Sequence, residues 1–353
     1  GGTRGKKEWR TRSRTASSTP MLGLVSSFLG RFFRVCHAEG YTNAPTSRPT
    51  PQSGVLTDPK AHAAFITIHL SGNADRRDCA RRVARMESLT REVVPEDEWD
   101  EDTEILTSVG FGQQMWNAIS SRKENFLYRT REGHHGTMPA TGGDIFVHVK
   151  SAVPSNVFEM TRLIKDLFQP EEITSFDDRY GFVYKNGRDL SGFIDGTANL
   201  AGDAERIHDG LNERGGSFAI TQRWIHKFND IRNLPVDVQE KCVGRTKEDS
   251  QELDPRPESS HVARMVGYHK SGPRAGEKIQ IFRQSMPYGR LGGEAGLFFI
   301  AYTRDPYHFD FMLDRMVGHT ADQLDDDIMM LSRCVTGNFW YIPSKDELAV
   351  LAA

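Results

Sequence analysis

Short apolar runs separated by polar turns recur along most of the chain, and their spacing predicts strands and helices in alternation. AAFITIHL (63–70) is apolar and β-branched enough for a strand, and residues 74–94 place Cys79, Val83, Met86 and Val93 on one helical face. ILTSVGFG (105–112) and DIFVHVKS (144–151) predict further strands. Residues 157–168 put Met160, Leu163, Ile164, Leu167 and Phe168 on one face of a helix. The texture then repeats: strands at FAITQRWIHKF (218–228), QIFRQSMPYG (280–289), GLFFIAYTRD (296–305) and NFWYIP (338–343), with helices over 236–245 and 308–317. Two successive segments of this kind predict an α+β protein of two similar domains, each an antiparallel sheet with helices on one face. A doubly wound parallel sheet fits less well.

The pattern starts late. Residues 1–35 carry Arg4, Lys6, Lys7, Arg10, Arg12, Arg14, Arg31 and Arg34 against one acid, Glu8, and from Met21 place Leu24, Phe28, Phe32 and Val35 at helical spacing. An Arg-rich, acid-poor, amphipathic leader resembles a mitochondrial targeting peptide more than a secretory signal, whose apolar stretch would be uninterrupted. A disordered basic tail, an untranslated leader ahead of Met21 and a signal peptide cleaved near Ala38 are the other readings, with cytoplasmic residence as the alternative location. Pro45, Pro49 and Pro51 among Thr, Ser and Gly make 39–56 a linker. The expected organisation is therefore a leader (1–38), a linker (39–56), an N-terminal domain (57–190), a C-terminal domain (191–346) and a short tail (347–353).

Composition removes several classes of function. Among 353 residues, 45 Lys and Arg against 48 Asp and Glu give a net charge of −3, too balanced for a protein that works by neutralising phosphates, so no nucleic-acid partner is expected. No run of about 18 apolar residues occurs, which argues against an integral membrane protein. Cys36, Cys79, Cys242 and Cys334 are far apart, without the CxxCH of covalent haem attachment, and fit free, buried thiols. The run PEDEWDEDTE (95–104), with seven acids in ten residues, reads as a solvated loop rather than a metal site. There is no G-x-G-x-x-G, P-loop, G-x-S-x-G or H-E-x-x-H.

Candidate chemistry gathers in the second half. SGFIDGTAN (191–199) brackets Asp195 with Gly192 and Gly196, which lets the backbone turn tightly and bring a carboxylate close to a ligand. By itself this is also an ordinary Asp-Gly turn. SSHVAR (259–264) offers His261 as a potential metal ligand, and Arg283 sits on a predicted strand. A lone histidine in apolar flanks usually packs structurally, but the three together in this order form a stronger signal than any one.

These segments resemble the dye-decolourising haem peroxidases, closest to their bacterial B-type members, over about Gln52 to Pro343. GFIDGT matches the family's GxxDG signature, SHVAR the segment of the haem-ligand histidine, and IFRQSMPYG the segment of the distal arginine. GRTKEDSQEL (244–253), GLFFIAYTRDP (296–306) and VTGNFWYIP (335–343) also look like family segments. The resemblance implies two ferredoxin-like domains forming a dimeric α+β barrel-like unit, with haem b bound noncovalently by the second. It implies His261 as the proximal iron ligand and Asp195 and Arg283 as the distal catalytic pair. Hydrogen peroxide is then reduced through a high-valent iron-oxo intermediate, and an organic, aromatic or dye-like electron donor restores the haem by one-electron steps.

Further positions carried over by the resemblance are Asp326, within Asp325-Asp326-Asp327, as the carboxylate behind His261, and Ser285 as a distal polar residue. Leu297 and Phe299 become pocket walls, and Arg245 and Asn199 candidate donors to the haem propionates. Trp116, Trp224, Trp340, Tyr268 and Tyr302 are available to relay electrons, and a homo-oligomer is expected. Leu200 stands where the family often has Pro, and Met265-Val266 where a polar pair is more usual, which bears on loop shape and haem access. A haem carrier needs only the ligand histidine, and a structural subunit not even that. Retention of Asp195 and Arg283, a proton shuttle and a charge stabiliser, favours the peroxidase.

Overall fold

The computed structural model describes residues 49–353, so the basic leader, its amphipathic stretch from Met21 and the first part of the expected linker lie outside the described residues. The strands are β1 (His62–Leu70), β2 (Leu106–Phe111), a small hairpin of β3 (Arg131–Gly133) and β4 (Gly136–Met138), β5 (Ile145–Ser151) and β6 (Ile173–Phe182), followed by β7 (Ser217–His226), β8 (Phe282–Arg283), β9 (Met286–Gly289), β10 (Ala295–Thr303) and β11 (Ser332–Ile342). The main sheet runs β7-β11-β2-β5-β1-β6-β9-β10, and β10 pairs back onto β7, so it closes on itself. Every pairing is antiparallel.

Two units build this ring. β1, β2, β5 and β6 stand in the order β6-β1-β5-β2, and β7, β9, β10 and β11 in the equivalent order β11-β7-β10-β9, which is the ferredoxin-like arrangement twice over. They meet at two narrow seams, Tyr341 opposite Phe111 and Gly181 opposite Tyr288. Alternation along each strand then serves two cores. In β5, Phe146 faces the barrel interior with Phe65, Phe298 and Trp340, whereas Ile145, Val147 and Val149 join the core beneath the helices.

Helices Arg76–Ala84, Met86–Val93 and Pro154–Asp166 belong to the first unit. The single helix expected over 74–94 breaks at Arg85. Its start is set by Asp75, whose carboxylate accepts from the Arg77 and Asp78 N–H groups at 3.0 and 3.1 Å. Helix Tyr307–Met316 covers the second unit, burying Phe309, Met312 and Leu313. The acidic run forms a 3-10 turn at Glu96–Glu98 and exposed turns after it, and Glu104 pairs with Lys60 at 2.6 Å.

Two expected boundaries move. The stretch read as a linker through residue 56 is already part of the fold from Gln52. The buried Gln52 amide donates to the Val109 and Pro343 carbonyls at 2.9 and 2.8 Å and accepts the Val109 N–H at 2.7 Å, beside the seam between β2 and β11. The expected tail at 347–353 lies largely in helix Lys345–Ala352, capped by Ser344, with Leu348 in the same core as Cys79 and Val83. Prolines set the local backbone, but burial decides what belongs to the domain.

The long connection from β6 to β7 is pinned at Asp189. This buried carboxylate accepts from His226 Nε2 on β7 at 2.8 Å and from the Ser191 N–H at 2.9 Å, and His226 Nδ1 lies 2.6 Å from Ser332 Oγ on β11. Burial alone would raise the Asp189 pKa; the His226 hydrogen bond and charge, with Ser191, hold it below the ordinary value. A carboxyl depressed on folding adds stability that is present above the unfolded pKa of about 3.9 and lost as pH falls through the folded value.

Two outcomes follow from this packing. Gln52→Leu leaves a buried N–H and two carbonyls without their partner and is expected to cost about 2 kcal/mol in urea unfolding; wild-type stability would return residues 52–56 to a linker. Asp189→Asn is expected to cost about 3 kcal/mol at pH 7, with the gap closing on acidification below about pH 4. A gap that persists in acid would show that Asp189 acts through packing alone.

Candidate active site

A cavity of about 340 Å³ lies between the outer face of the second sheet and its helices, lined by residues between Asp189 and Ser332. The sheet wall comes from alternate positions. Gln222, Trp224 and His226 project from β7, Arg283 and Ser285 from β8 and the residues after it, and Leu297 and Phe299 from β10. Phe309, Met312 and Met316 of helix Tyr307–Met316 add further apolar lining. The expected wall residues Leu297 and Phe299 are thus in place.

His261 opens the short helix His261–Met265 and lines the cavity. Its Nδ1 lies 2.7 Å from Oδ2 of the fully buried Asp326, so Nδ1–H donates to the carboxylate and the Nε2 lone pair remains for a metal. The other Asp326 oxygen accepts the Ile328 N–H at 2.9 Å, which fixes the carboxylate. The neighbouring acids have other tasks: Asp325 accepts the His135 N–H at 3.1 Å, and Asp327 accepts the Ser259 hydroxyl at 2.7 Å. Of the three, Asp326 is the partner of His261.

The helix bearing His261 is clamped by a residue that sequence reasoning passed over. Buried Arg264 donates from Nε to the Arg315 carbonyl at 2.9 Å and from Nη1 to Asp322 at 2.8 Å, and Arg315 donates back to the Arg264 carbonyl at 2.6 Å. Hydrogen bonds from Arg264 and Thr320 hold the Asp322 carboxyl well below the usual range. A lone arginine in SHVAR carries no sequence signal for this role, because its partners are about 50 residues away.

Asp195 and Arg283 meet on the same cavity. Asp195 Oδ1 accepts the Gly196 N–H at 2.7 Å and lies 3.6 Å from Arg283 Nη1. Gly192 and Gly196 have φ of +93° and +80°, a region that glycine enters freely, so the turn expected around this acid is formed at both flanks. Asn199 does not reach for the cavity as expected. Its Oδ1 accepts the Arg283 N–H at 2.9 Å and its Nδ2 donates to the Arg283 carbonyl at 2.8 Å, so it braces the arginine's main chain like an added strand edge. Arg245 does line the cavity, but its guanidinium pairs with Glu252 and donates to the Ser250 carbonyl at 2.7 Å. Ser285 lines the cavity with Oγ accepting the Ile300 N–H at 3.3 Å.

Other expectations divide. His226, which no motif singles out, lines the cavity with Asp189; the period of two in FAITQRWIH, which aligns Gln222, Trp224 and His226, is the available signal. Among the candidate relay residues, Trp224 borders the cavity and Tyr268 is 55% exposed, whereas Trp116, Trp340 and Tyr302 are buried.

The donor set suits a haem. One imidazole with a free Nε2 is too few ligands for a bare metal ion, which takes three or four protein ligands, and no group of three His, Cys, Asp or Glu gathers among the described residues. A single backed histidine facing a broad apolar cavity fits a metal that brings its own macrocycle.

Comparison with known proteins agrees. The family profile described as Dyp-type peroxidase, N-terminal, matches residues 52–183, and the one described as Dyp-type peroxidase, C-terminal, matches 186–347. The chain is 32% identical over 258 residues to a dye-decolorizing peroxidase of Rhodococcus erythropolis, covering 69% of this chain and 73% of the relative. It is 31% identical over 319 residues to that of Mycobacterium tuberculosis, covering 86% and 90%. Among solved structures, a dye-decolorizing protein from V. cholerae superposes with a TM-score of 0.76 at 29% identity, covering 84% of this chain and 98% of the other. A Rhodococcus jostii DypB variant in complex with heme gives 0.76 at 29%, covering 86% and 100%. With both family profiles matched in order and the expected ligand and acid-arginine pair on one cavity, this chain belongs to the Dyp-type peroxidases.

Proposed function

We propose that this peroxidase, an oxidoreductase acting on hydrogen peroxide, holds haem b noncovalently through His261 and works on peroxide with Asp195 and Arg283, an organic compound serving as the electron donor. The His261–Asp326 contact at 2.7 Å carries the reading. When bound, the haem supplies the iron centre that passes two electrons to peroxide and regains them singly from the donor.

The chain's own residues then have separable tasks. Asp326 holds the His261 imidazole in one tautomer and makes its Nε2 a stronger donor. Asp195 Oδ1 is occupied by the Gly196 N–H, and its Oδ2 has no protein hydrogen bond among the described residues, so that oxygen is free to take a proton from the near peroxide oxygen and return it to the far one. Arg283 stays charged throughout; its guanidinium meets Asp195 at 3.6 Å, its one charged partner among the described residues, and keeps N–H groups for developing negative charge. Leu297 and Phe299 keep water from the wall. Arg245, already paired with Glu252, supports propionate binding at the cavity edge.

We also propose a mitochondrial address, supported by the eight basic residues and one acid of positions 1–35. Residues 1–56 fused to a fluorescent protein are expected to mark mitochondria in a eukaryotic cell, and diffuse fluorescence would favour the cytoplasm.

The site is tested by spectroscopy and kinetics together. Haem titration followed by absorption is expected to load the wild type and fail with His261→Ala. Arg283→Leu is expected to keep haem while its bimolecular rate constant with peroxide falls roughly a hundredfold. Normal haem content in His261→Ala would expose another ligand, and an unchanged rate in Arg283→Leu would shift the chemistry onto Asp195.

A further inference from the structure

Among the described residues, none of the strands and helices of the N-terminal unit lines the cavity, yet one of its side chains reaches the strand that carries Arg283. Lys150, on β5, is fully buried inside the barrel. Its Nζ donates to Gln284 Oε1 at 2.6 Å, and lies 2.9 Å from both the Thr57 carbonyl and Oγ1 and 3.2 Å from the Asp58 carbonyl. Gln284 is the inward-facing residue between Arg283 and Ser285, which both line the cavity. Its amide is held at both ends: Nε2 donates to the Gly54 and Val55 carbonyls at 3.1 and 2.8 Å while Oε1 accepts from Lys150.

The main-chain ladder is weak at this point. β8 has two residues, and the strand resumes only at Met286. Gln284 N–H donates to the Ile300 carbonyl at 2.9 Å, but the Ile300 N–H bonds Ser285 Oγ instead of a main-chain carbonyl. Side-chain ties therefore carry much of the positioning: Asn199 braces Arg283 from its edge, and the Gln284 amide anchors the next residue from within the barrel.

We infer that Lys150 is a positioning residue for the distal site, acting through Gln284 to hold the Arg283 guanidinium where it meets peroxide. The inference rests on the distal role of Arg283 given above. It also gives the unit outside the cavity a defined part in the reaction. A guanidinium displaced by a fraction of an ångström loses its hydrogen bond to an anion on the iron, so both peroxide reactivity and anion affinity should respond.

The test uses the haem-loaded full chain. The bimolecular rate constant with peroxide and the affinity of the resting ferric protein for fluoride are measured for Lys150→Met, alone and combined with Arg283→Leu. Lys150→Met alone is expected to lower both by roughly tenfold. In the Arg283→Leu background it is expected to change neither, because the group it positions is gone. An equal loss in both backgrounds would reveal a general structural effect and overturn the inference, as would a silent Lys150→Met beside a slow Arg283→Leu. A wild-type rate in Arg283→Leu itself would remove the distal role and this inference with it. Gln284→Leu, which leaves Lys150 its three other acceptors, answers the same questions if Lys150→Met does not fold.

Discussion

Closure of the sheet governs the rest of the molecule. Because β10 returns to β7, each strand of the second unit has one face on the barrel interior and one beneath the helices, and no strand can rotate to suit only the cavity. A shift of one residue would send Arg283 and Ser285 inward and bring Gln284 and Met286 to the cavity. The interior is close-packed with aromatic rings, including Phe65 stacked on Phe298 with centroids 4.1 Å apart, so such a shift is sterically opposed. The placement of Arg283 and Ser285 on the cavity is thus enforced largely from the opposite, interior face.

The helical wall is held by a different means. Few apolar contacts could orient a helix as short as His261–Met265, and charged groups do it instead: Asp326 behind the imidazole, Arg264 to Asp322, and Arg315 back to the helix carbonyls. The N-terminal unit reaches this wall too. Arg131 of β3 pairs with both Asp310 and Asp314 of helix Tyr307–Met316. Buried charges are stabilising only when every partner is present, so this wall is more exacting than its size suggests.

Much of the architecture was legible because burial on one face leaves a period in the sequence. β1, β5, β7 and β10 announce themselves in AAFITIHL, IFVHVK, FAITQRWIH and GLFFIAYT. β6 went unnoticed because ITSFDDRYGF has no run of apolar residues; its place in the sheet is set by pairing with β1, not by its own composition. His261, Asp195, Arg283 and Asp326 were found through motif resemblance; the first three line one cavity, and Asp326 stands behind His261. Asn199, Lys150, Gln284 and Arg264 show the limit. Each acts on the main chain or on a side chain of a distant element, and nothing local distinguishes such a residue from one that meets water or ligand.

The loop Asp325-Asp326-Asp327 shows how little chemical identity says about interchangeability. Three equal letters serve three clients: the His135 N–H, the His261 imidazole and the Ser259 hydroxyl. Substituting one would be partly masked by its neighbours in any reading based on composition. Deleting one would leave an acidic run that still looks intact to the eye, yet every client would face the wrong carboxylate. An insertion or deletion in this loop would therefore disturb all three contacts at once, the one behind the His261 imidazole included.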